Sequence, residues 1–237
     1  MSSYRKGIQD GLPIAIGYLS VSFTFGMKAV GEGLLWWQAL LISMTNLTSA
    51  GQFAGLSVMT AGGTFIEMAC TQLVINMRYA LMSLSLSQKV DGSISGVRRW
   101  IVGFGVTDEI FAVAMGNYKA VGMKYMLGLM STPYLGWSLG TLIGAVAGSV
   151  LPGVVRSALG VAIFAMFIAI FVPPMKKNKA VAIVVAIAVG LSCCFKWVPV
   201  INRLSGGFAV IICSVFAAAV GAVLFPINSD GEPSETT

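Results

Sequence analysis

The chain has 237 residues, of which 57% are hydrophobic and 10% charged, with a mean hydropathy of +0.86 and a net charge of +6. A soluble domain carries about a quarter of its residues as charged side chains, so this composition excludes a water-soluble globular protein. The basic residues lie mostly between apolar runs, which is typical of membrane insertion rather than of nucleic-acid binding. Histidine is absent and the four cysteines show no metal-ligand spacing, so no metal or cofactor is expected.

Apolar runs that are long enough to span a bilayer recur along nearly the whole chain. They predict an all-α polytopic integral membrane protein with seven or eight hydrophobic segments in a single domain, residues 1–227. The predicted segments are Gly11 to Val30, Leu34 to Ala61, Gly63 to Leu86, Trp100 to Asn117, Tyr125 to Leu151, Gly153 to Pro174, Ala180 to Phe195 and Gly206 to Phe225. The tail, residues 228–237, has the polar composition of a disordered segment.

The second segment contains a polar run at membrane depth, which includes two amides and a glycine. Unpaired backbone groups are costly in hydrocarbon, so a helix breaks there only where it faces protein or water. Broken helices form the substrate sites of many secondary transporters, although small residues also serve plain helix packing. We expect a helix break near Asn46 to Gln52, and the candidate substrate-binding residues of this run are Thr45, Asn46, Ser49, Gly51 and Gln52.

The third segment carries Glu67 near its start and Asn76 with Arg78 deeper inside. Charged residues within spans are costly and usually functional. A guanidinium can hold a carboxylate through two parallel hydrogen bonds, so Arg78 suits either a substrate carboxylate or an internal partner. Asn76 and Arg78 are therefore candidate substrate-binding residues, whereas Glu67 lies close enough to the segment end to be interfacial, and its role stays open.

The fourth segment carries two adjacent carboxylates, Asp108 and Glu109, in the middle of an apolar run. Neighbouring carboxylates in an apolar helix repel each other and resist ionisation, so one of them is suited to carry a proton near neutral pH. Without histidine, any proton relay must use carboxylates, which makes this pair the candidate proton-coupling site. The structural alternative is an ion pair with Arg78.

The distribution of basic residues distinguishes two topologies. If the N-terminus is inside and all eight segments cross, seven basic residues lie on each side. If the second and sixth segments are re-entrant, nine lie inside and five outside, which is the expected bias. This favours an inverted repeat with broken or re-entrant helices, with repeats at residues 11–117 and 125–226. A count of seven spans, with a single non-crossing segment, stays open.

Five short motifs, in this order and spacing, resemble the AzlC-type large subunit of bacterial branched-chain amino-acid exporters. They are Gly11-Leu12-Pro13, Phe25-Gly26, Ser49-Ala50-Gly51-Gln52-Phe53, Ile75-Asn76-Met77-Arg78-Tyr79 and Thr107-Asp108-Glu109. The resemblance covers almost the whole chain. It implies export of valine, leucine, isoleucine and similar small amino acids across the bacterial inner membrane. Many relatives carry His after the motif arginine, where this chain has Tyr79.

The resemblance also implies a small AzlD-type membrane subunit as partner. Segments five to eight are rich in small residues, among them Gly140, Gly144 and Gly148. Small residues let helices approach closely, so these faces suit contact with a second subunit or packing within the chain.

The leading hypothesis is a multi-pass secondary transporter of the inner membrane that exports small hydrophobic amino acids, methionine included, with proton coupling. The alternative is an ion or small-solute channel, for which re-entrant helices are equally suitable. An enzyme is not expected, because no nucleophile–base pair is visible and the commonest base, histidine, is absent. No Gly-rich phosphate loop is present, so neither nucleotide nor nucleic acid is an expected partner.

Overall fold

The computed structural model describes residues 3–117, 120–148, 178–197 and 206–225, and isolated positions between 149 and 177. Within these ranges the secondary structure is helical, apart from one isolated bridge between Val90 and Val121. The helices are α1 (Ser3–Gly31), α2 (Trp36–Thr45), α3 (Ser49–Thr60), α4 (Phe65–Ser87), α5 (Val97–Gly105), α6 (Asp108–Met115), α7 (Met123–Ala147), α8 (Lys179–Trp197) and α9 (Gly206–Leu224).

The all-helical prediction is confirmed for the described ranges, and the number of membrane crossings stays a prediction. By length and apolar composition, two of the described helices, α1 and α8, are suited to cross a bilayer. Most of the sixth predicted segment, Gly153 to Pro174, and the tail after residue 227 lie outside the described residues. The proposed division into two sequence repeats also stays a prediction.

The chain clusters into two units, which are described separately. Unit one comprises Met1–Phe53 and Ile75–Ile163, and unit two comprises Ala54–Val74 and Phe164–Thr237. In unit two, α8 packs against α9, and Glu67 is buried near the start of α4. Unit one holds the other candidate residues.

The centre of unit one is a close parallel contact between α1 and α7. Glycines occur where the two backbones approach: a Cβ on Gly26 would overlap the Thr141 carbonyl, and a Cβ on Gly144 would overlap the Phe23 carbonyl. Glycine allows such an approach because it has no Cβ. Gly140, Gly144 and Gly148 all face α1 residues. These small residues therefore pack within the chain, so they give no physical support for a partner interface.

The second predicted segment is broken, as expected, and forms a helical hairpin. Helix α2 ends at Thr45 and α3 begins at Ser49. Residue Leu34, just before α2, donates its backbone N–H to Ala29 at the end of α1, and Phe53 in α3 packs edge-on against Phe25, 5.3 Å between ring centres. The start of α2 and the first turns of α3 therefore both lie beside the C-terminal half of α1, and the tip at residues 46–48 points toward its middle.

The fourth predicted segment was expected to be one continuous helix, and that prediction was wrong. It breaks at Val106 and Thr107 into α5 and α6, because Thr107 caps α6: its side-chain oxygen accepts from the Ile110 N–H. Threonine is a favoured N-cap, and acidic residues are favoured in the first turn that follows, so the Thr-Asp-Glu order starts a helix here.

Helices α5 and α6 also form a hairpin, and its open end lies at the opposite end of unit one from the start of α2. The Lys89 ammonium before α5 donates to the Met115 carbonyl at the end of α6, at 2.5 Å, and Val90 pairs with Val121. Both ends of the hairpin thus meet near the start of α7, where Ile94, Ile110 and Leu129 belong to one buried apolar cluster.

We expect the α1–α7 contact to be sensitive to a single methyl group. Gly26→Ala would force the two backbones apart, at a cost of about 1–3 kcal/mol for overpacking. Gly17, on the same helix, has nothing within 4 Å of the Cβ position, so Gly17→Ala should leave stability unchanged or slightly raised. Thermal unfolding of both variants in detergent measures the difference, and equal melting temperatures would contradict the close parallel contact.

Candidate functional site

The tips of the two hairpins meet beside the middle of α1 and α7. Between the two tips lies a small cavity of about 220 Å³, a volume that includes its open side. Its lining residues come from α1, both hairpin tips, α4 and α7: Tyr18, Leu47, Ser49, Tyr79, Thr107, Asp108, Glu109 and Trp137. Ligand pockets usually measure about 300–1,000 Å³, so this cavity is too small to hold a ligand in the present conformation.

Helix termini converge on this cavity from both hairpins. Helices α3 and α6 begin here, at Ser49 and Asp108, and helices α2 and α5 end here. An N-terminus presents unpaired N–H groups and partial positive charge, whereas a C-terminus presents carbonyls and partial negative charge. Threonines occupy the residue before each beginning helix: the Thr48 hydroxyl accepts from the Gly51 N–H at 3.1 Å, as Thr107 does from Ile110.

Tyr18 of α1 connects the site to the tip of the second hairpin. Its hydroxyl lies 2.7 Å from the Thr107 hydroxyl and contacts a carboxylate oxygen of Glu109. A hydroxyl carries one proton, so both contacts are satisfied when Thr107 donates to Tyr18 and Tyr18 donates to Glu109. Tyr18 is only 7% exposed, and its ring packs edge-on against Trp137 at 5.2 Å. Glu109 therefore faces a neutral donor.

Asp108 has a different partner from its neighbour. Its carboxylate lies 2.7 Å from Nη1 of Arg78 on α4, so the ion pair considered above is present. The second Arg78 Nη donates to the Tyr79 hydroxyl at 3.1 Å, and the guanidinium lies 4.9 Å from the Tyr79 ring centre. The third donor, Nε, is buried and has no hydrogen-bond partner. Arg78 thus retains an unused donor, and its two partners, Asp108 and Tyr79, line the cavity.

A buried hydrogen-bond chain fixes the tip of the first hairpin against α7. The Gln52 carboxamide oxygen accepts from the Trp137 indole at 2.9 Å, and its amide nitrogen donates to Ser43 at 3.2 Å. The Ser43 hydroxyl in turn lies 2.7 Å from that of Thr141. A buried polar group costs about 1–3 kcal/mol if it is left unpaired, so this hydrogen-bond chain fixes the first turn of α3 against α2 and α7.

The structure separates the sequence-predicted residues into three groups. Ser49, Asp108 and Glu109 line the cavity, and Arg78 joins them through its ion pair. Three others, Gln52, Asn76 and Gly51, support the tip. Gln52 accepts a hydrogen bond from Trp137, Asn76 accepts one of 2.8 Å from Thr48, and Gly51 is buried in the first turn of α3. Two do not line the cavity: Thr45, which is exposed and donates to the Leu41 carbonyl, and Asn46, which is the C-cap of α2.

Five cavity-lining residues were not among the site residues predicted from the sequence: Tyr18, Leu47, Tyr79, Thr107 and Trp137. A signal was present, because Tyr and Trp carry a polar group that needs a partner when buried within an apolar segment. Glu67 lies in unit two, where the Thr64 hydroxyl accepts from its backbone N–H at 3.1 Å. It does not belong to the cavity lining.

Together these features define a class: a helical protein in which two opposed, interrupted helices meet at a charged centre. A family model described as "AzlC protein" matches residues 13–151, more than half of the chain and both hairpins. The protein therefore belongs to the AzlC family, and the resemblance inferred from its motifs is confirmed.

Curated relatives cover most of the chain, and their names place it in a membrane. It is 27% identical over 198 residues to "Inner membrane protein YgaZ" of Escherichia coli K12, covering 81% of each chain. It is 31% identical over 191 residues to an "Uncharacterized membrane protein" of Archaeoglobus fulgidus, covering 80% of this chain and 84% of the relative. No solved structure matches this chain.

We expect Tyr18→Phe to destabilise the protein, because it leaves the Glu109 carboxylate without its buried donor, at a cost of about 1–3 kcal/mol. Tyr134→Phe is the matched control, since that hydroxyl donates to the Met44 carbonyl at 3.1 Å in an exposed position. The melting temperature in detergent should fall clearly for Tyr18→Phe and little for Tyr134→Phe. Equal shifts in melting temperature would show that the Tyr18–Glu109 contact stabilises the protein no more than the exposed Tyr134 hydrogen bond does.

Proposed function

We propose that this protein is a proton-coupled secondary transporter that exports valine, leucine, isoleucine, methionine and similar small neutral amino acids. In this proposal it is the large subunit of a two-component exporter in the bacterial inner membrane, with a small AzlD-type membrane subunit. The observation that carries the proposal is the meeting of two opposed hairpin tips at a charged cavity beside the middle of α1 and α7. The identity of the substrate class and of the partner comes from the family resemblance.

The chemistry at the tips suits an amino-acid zwitterion. Beginning helices favour a carboxylate and ending helices favour a cation, which is how interrupted helices bind substrate and ions in other transporters. Here α3 and α6 present their N-termini at the tips, and α2 and α5 present their C-termini. The unpaired Nε of Arg78 provides one further donor for a carboxylate. The apolar side chains of Leu47 and Trp137 would contact an aliphatic side chain.

The small cavity volume implies a closed conformation. A substrate can be accommodated only if one tip moves away from α1 and α7. Two opposed hairpins allow this alternately from the two sides, because each tip has its own attachment: Gln52 to Trp137 for the first, and Thr107 with Tyr18 for the second. A channel would need both tips open at once, so the geometry favours a carrier.

The hairpins also support a multi-pass topology with a stronger charge bias than the sequence-based scheme. Let the second and fourth segments turn back and the others cross, which makes α1 and α7 parallel as observed. Ten basic residues then lie inside: Arg5, Lys6, Lys89, Arg98, Arg99, Lys119, Lys124, Lys176, Lys177 and Lys179. Four lie outside: Lys28, Arg156, Lys196 and Arg203. Ten against four follows the positive-inside rule better than nine against five.

The two carboxylates are suited to different roles in proton coupling. Protonating Asp108 would break its ion pair with Arg78, whereas protonating Glu109 only rearranges a hydrogen bond with a neutral hydroxyl. We therefore assign the transported proton to Glu109, and assign to Asp108 the task of holding Arg78 until a substrate carboxylate competes for it.

Counterflow in proteoliposomes tests the proposed function. We expect labelled valine, leucine, isoleucine and methionine to accumulate against the unlabelled amino acid, with saturable rates, when the AzlD-type subunit is co-reconstituted. Non-saturable flux without counterflow would identify a channel instead. Full-rate transport by the single chain would refute the need for the partner, and the absence of flux for all four amino acids with the partner would refute the substrate class.

We expect Glu109→Gln to abolish export driven by a pH gradient while substrate exchange stays measurable, because the amide cannot cycle a proton. Asp108→Asn should instead impair exchange as well, since Arg78 loses its partner. Asp91→Asn is the matched control, because this carboxylate is exposed in the loop between α4 and α5 and does not line the tip cavity. Undiminished pH-driven export by Glu109→Gln would remove that residue from the coupling role.

A further inference from the structure

A second, larger recess lies at the end of unit one where the α5–α6 hairpin begins. It is an open cleft of about 440 Å³ between the end of α4, the loop that follows it, and one face of α5. Its lining is mainly apolar, with two serines and one charged residue: Ser83, Leu86, Ser87, Val90, Ile94, Arg99, Val102, Gly103 and Val106. It is separate from the tip cavity, with which it shares no lining residue.

Arg99 gives the cleft a positive charge at its rim. Between residues 88 and 106 the chain has three basic residues, Lys89, Arg98 and Arg99, and one acid, Asp91. The Ser93 hydroxyl and N–H bind Asp91 and hold the pKa of its carboxyl below the usual value, so it stays ionised but engaged within the loop. Among the described residues neither Arg98 nor Arg99 forms a salt bridge; each donates to a loop carbonyl instead.

The outward side of α5 has the features of a membrane-interface helix. Val97, Trp100 and Phe104 follow one another at helical spacing and are 75%, 82% and 48% exposed. Tryptophan at a helix surface beside arginines is typical of the headgroup level of a bilayer, where the ring contacts the acyl-chain boundary and the cations contact anionic headgroups. Helix α5 thus has lipid-compatible side chains outside and an apolar cleft with an arginine behind it.

We propose that this cleft binds one anionic phospholipid, with its phosphate on Arg99 and an acyl chain along Leu86, Val90 and Val102. A positive rim above an apolar groove matches an amphiphile with a negative head, and basic pockets between membrane helices bind such headgroups elsewhere. An amino acid fits less well, because no carboxylate lines the cleft to pair with its ammonium group. A second groove beside α5, lined by Ile101, Phe104 and Leu127 among others, has no charged residue in its lining and so offers no headgroup recognition.

Two substitutions test the head and the chain separately. Arg99→Gln removes the charge from the rim, and Arg98→Gln removes the same charge one residue away, outside the cleft lining. Gly103 lines the cleft and has nothing within 4 Å of its Cβ position, so the backbone there can take a side chain and Gly103→Leu should narrow the groove. Gly103→Ala is its milder control.

The measurement is native mass spectrometry of the purified chain with phosphatidylglycerol or phosphatidylcholine that carry identical acyl chains. Melting temperature is recorded in parallel, with inorganic phosphate and leucine as further ligands. We expect one tightly held phosphatidylglycerol, weaker binding of phosphatidylcholine, and about fivefold weaker phosphatidylglycerol binding for Arg99→Gln. Arg98→Gln should bind almost as the parent does, and Gly103→Leu should lose the bound lipid while keeping the parent's helical circular dichroism.

Several results would overturn the proposal. Equal binding of the two lipids, or equal losses for Arg98→Gln and Arg99→Gln, would indicate diffuse attraction rather than a site. A shift in melting temperature with inorganic phosphate as large as with the lipid would indicate a simple anion site. Displacement of phosphatidylglycerol by leucine would assign the cleft to an amino acid, and retained lipid in Gly103→Leu would exclude the groove as the chain's position.

Discussion

The close parallel contact of α1 and α7 is the interaction on which the rest of unit one depends. It is possible only because glycines face backbone at each point of contact, as at Gly26 and Gly144. Because the helices approach so closely, Tyr18 and Trp137 pack against each other in the middle of the pair. These two side chains then supply the hydrogen-bond partners for both hairpin tips, so the site is built on a rigid contact rather than on a loop.

Interrupted helices within a membrane protein require that every freed backbone group finds a partner. Both tips solve this problem with the same device, a threonine whose hydroxyl accepts from an N–H of the first helical turn. The tips differ in what holds them: a neutral chain through Gln52 for one, and contacts to an ionisable side chain for the other. In the proposed mechanism this difference gives the second tip its response to protons.

Helix α5 connects the two recesses of unit one. Its N-terminal half carries Arg99 at the rim of the proposed lipid cleft, and its C-terminal end leads directly into Thr107 and the tip cavity. The same nine residues would therefore contact the lipid on one side and position the proton-carrying tip on the other. A bound phospholipid would support α5 in its present place, which relates the second proposal physically to the first without depending on it.

The sequence alone determined the all-helical fold in the described ranges, the break within Asn46 to Gln52, and the family, because composition and local capping chemistry are readable along the chain. The break at Thr107 was also encoded locally, in a threonine followed by two acids, but its carboxylates were interpreted as mid-helix. Only the tertiary structure decided that both hairpins turn back, that Arg78 pairs with Asp108, and that Tyr18 meets Glu109. Those contacts join residues 30 to 91 positions apart, and their formation depends on how the helices pack, which no local pattern specifies.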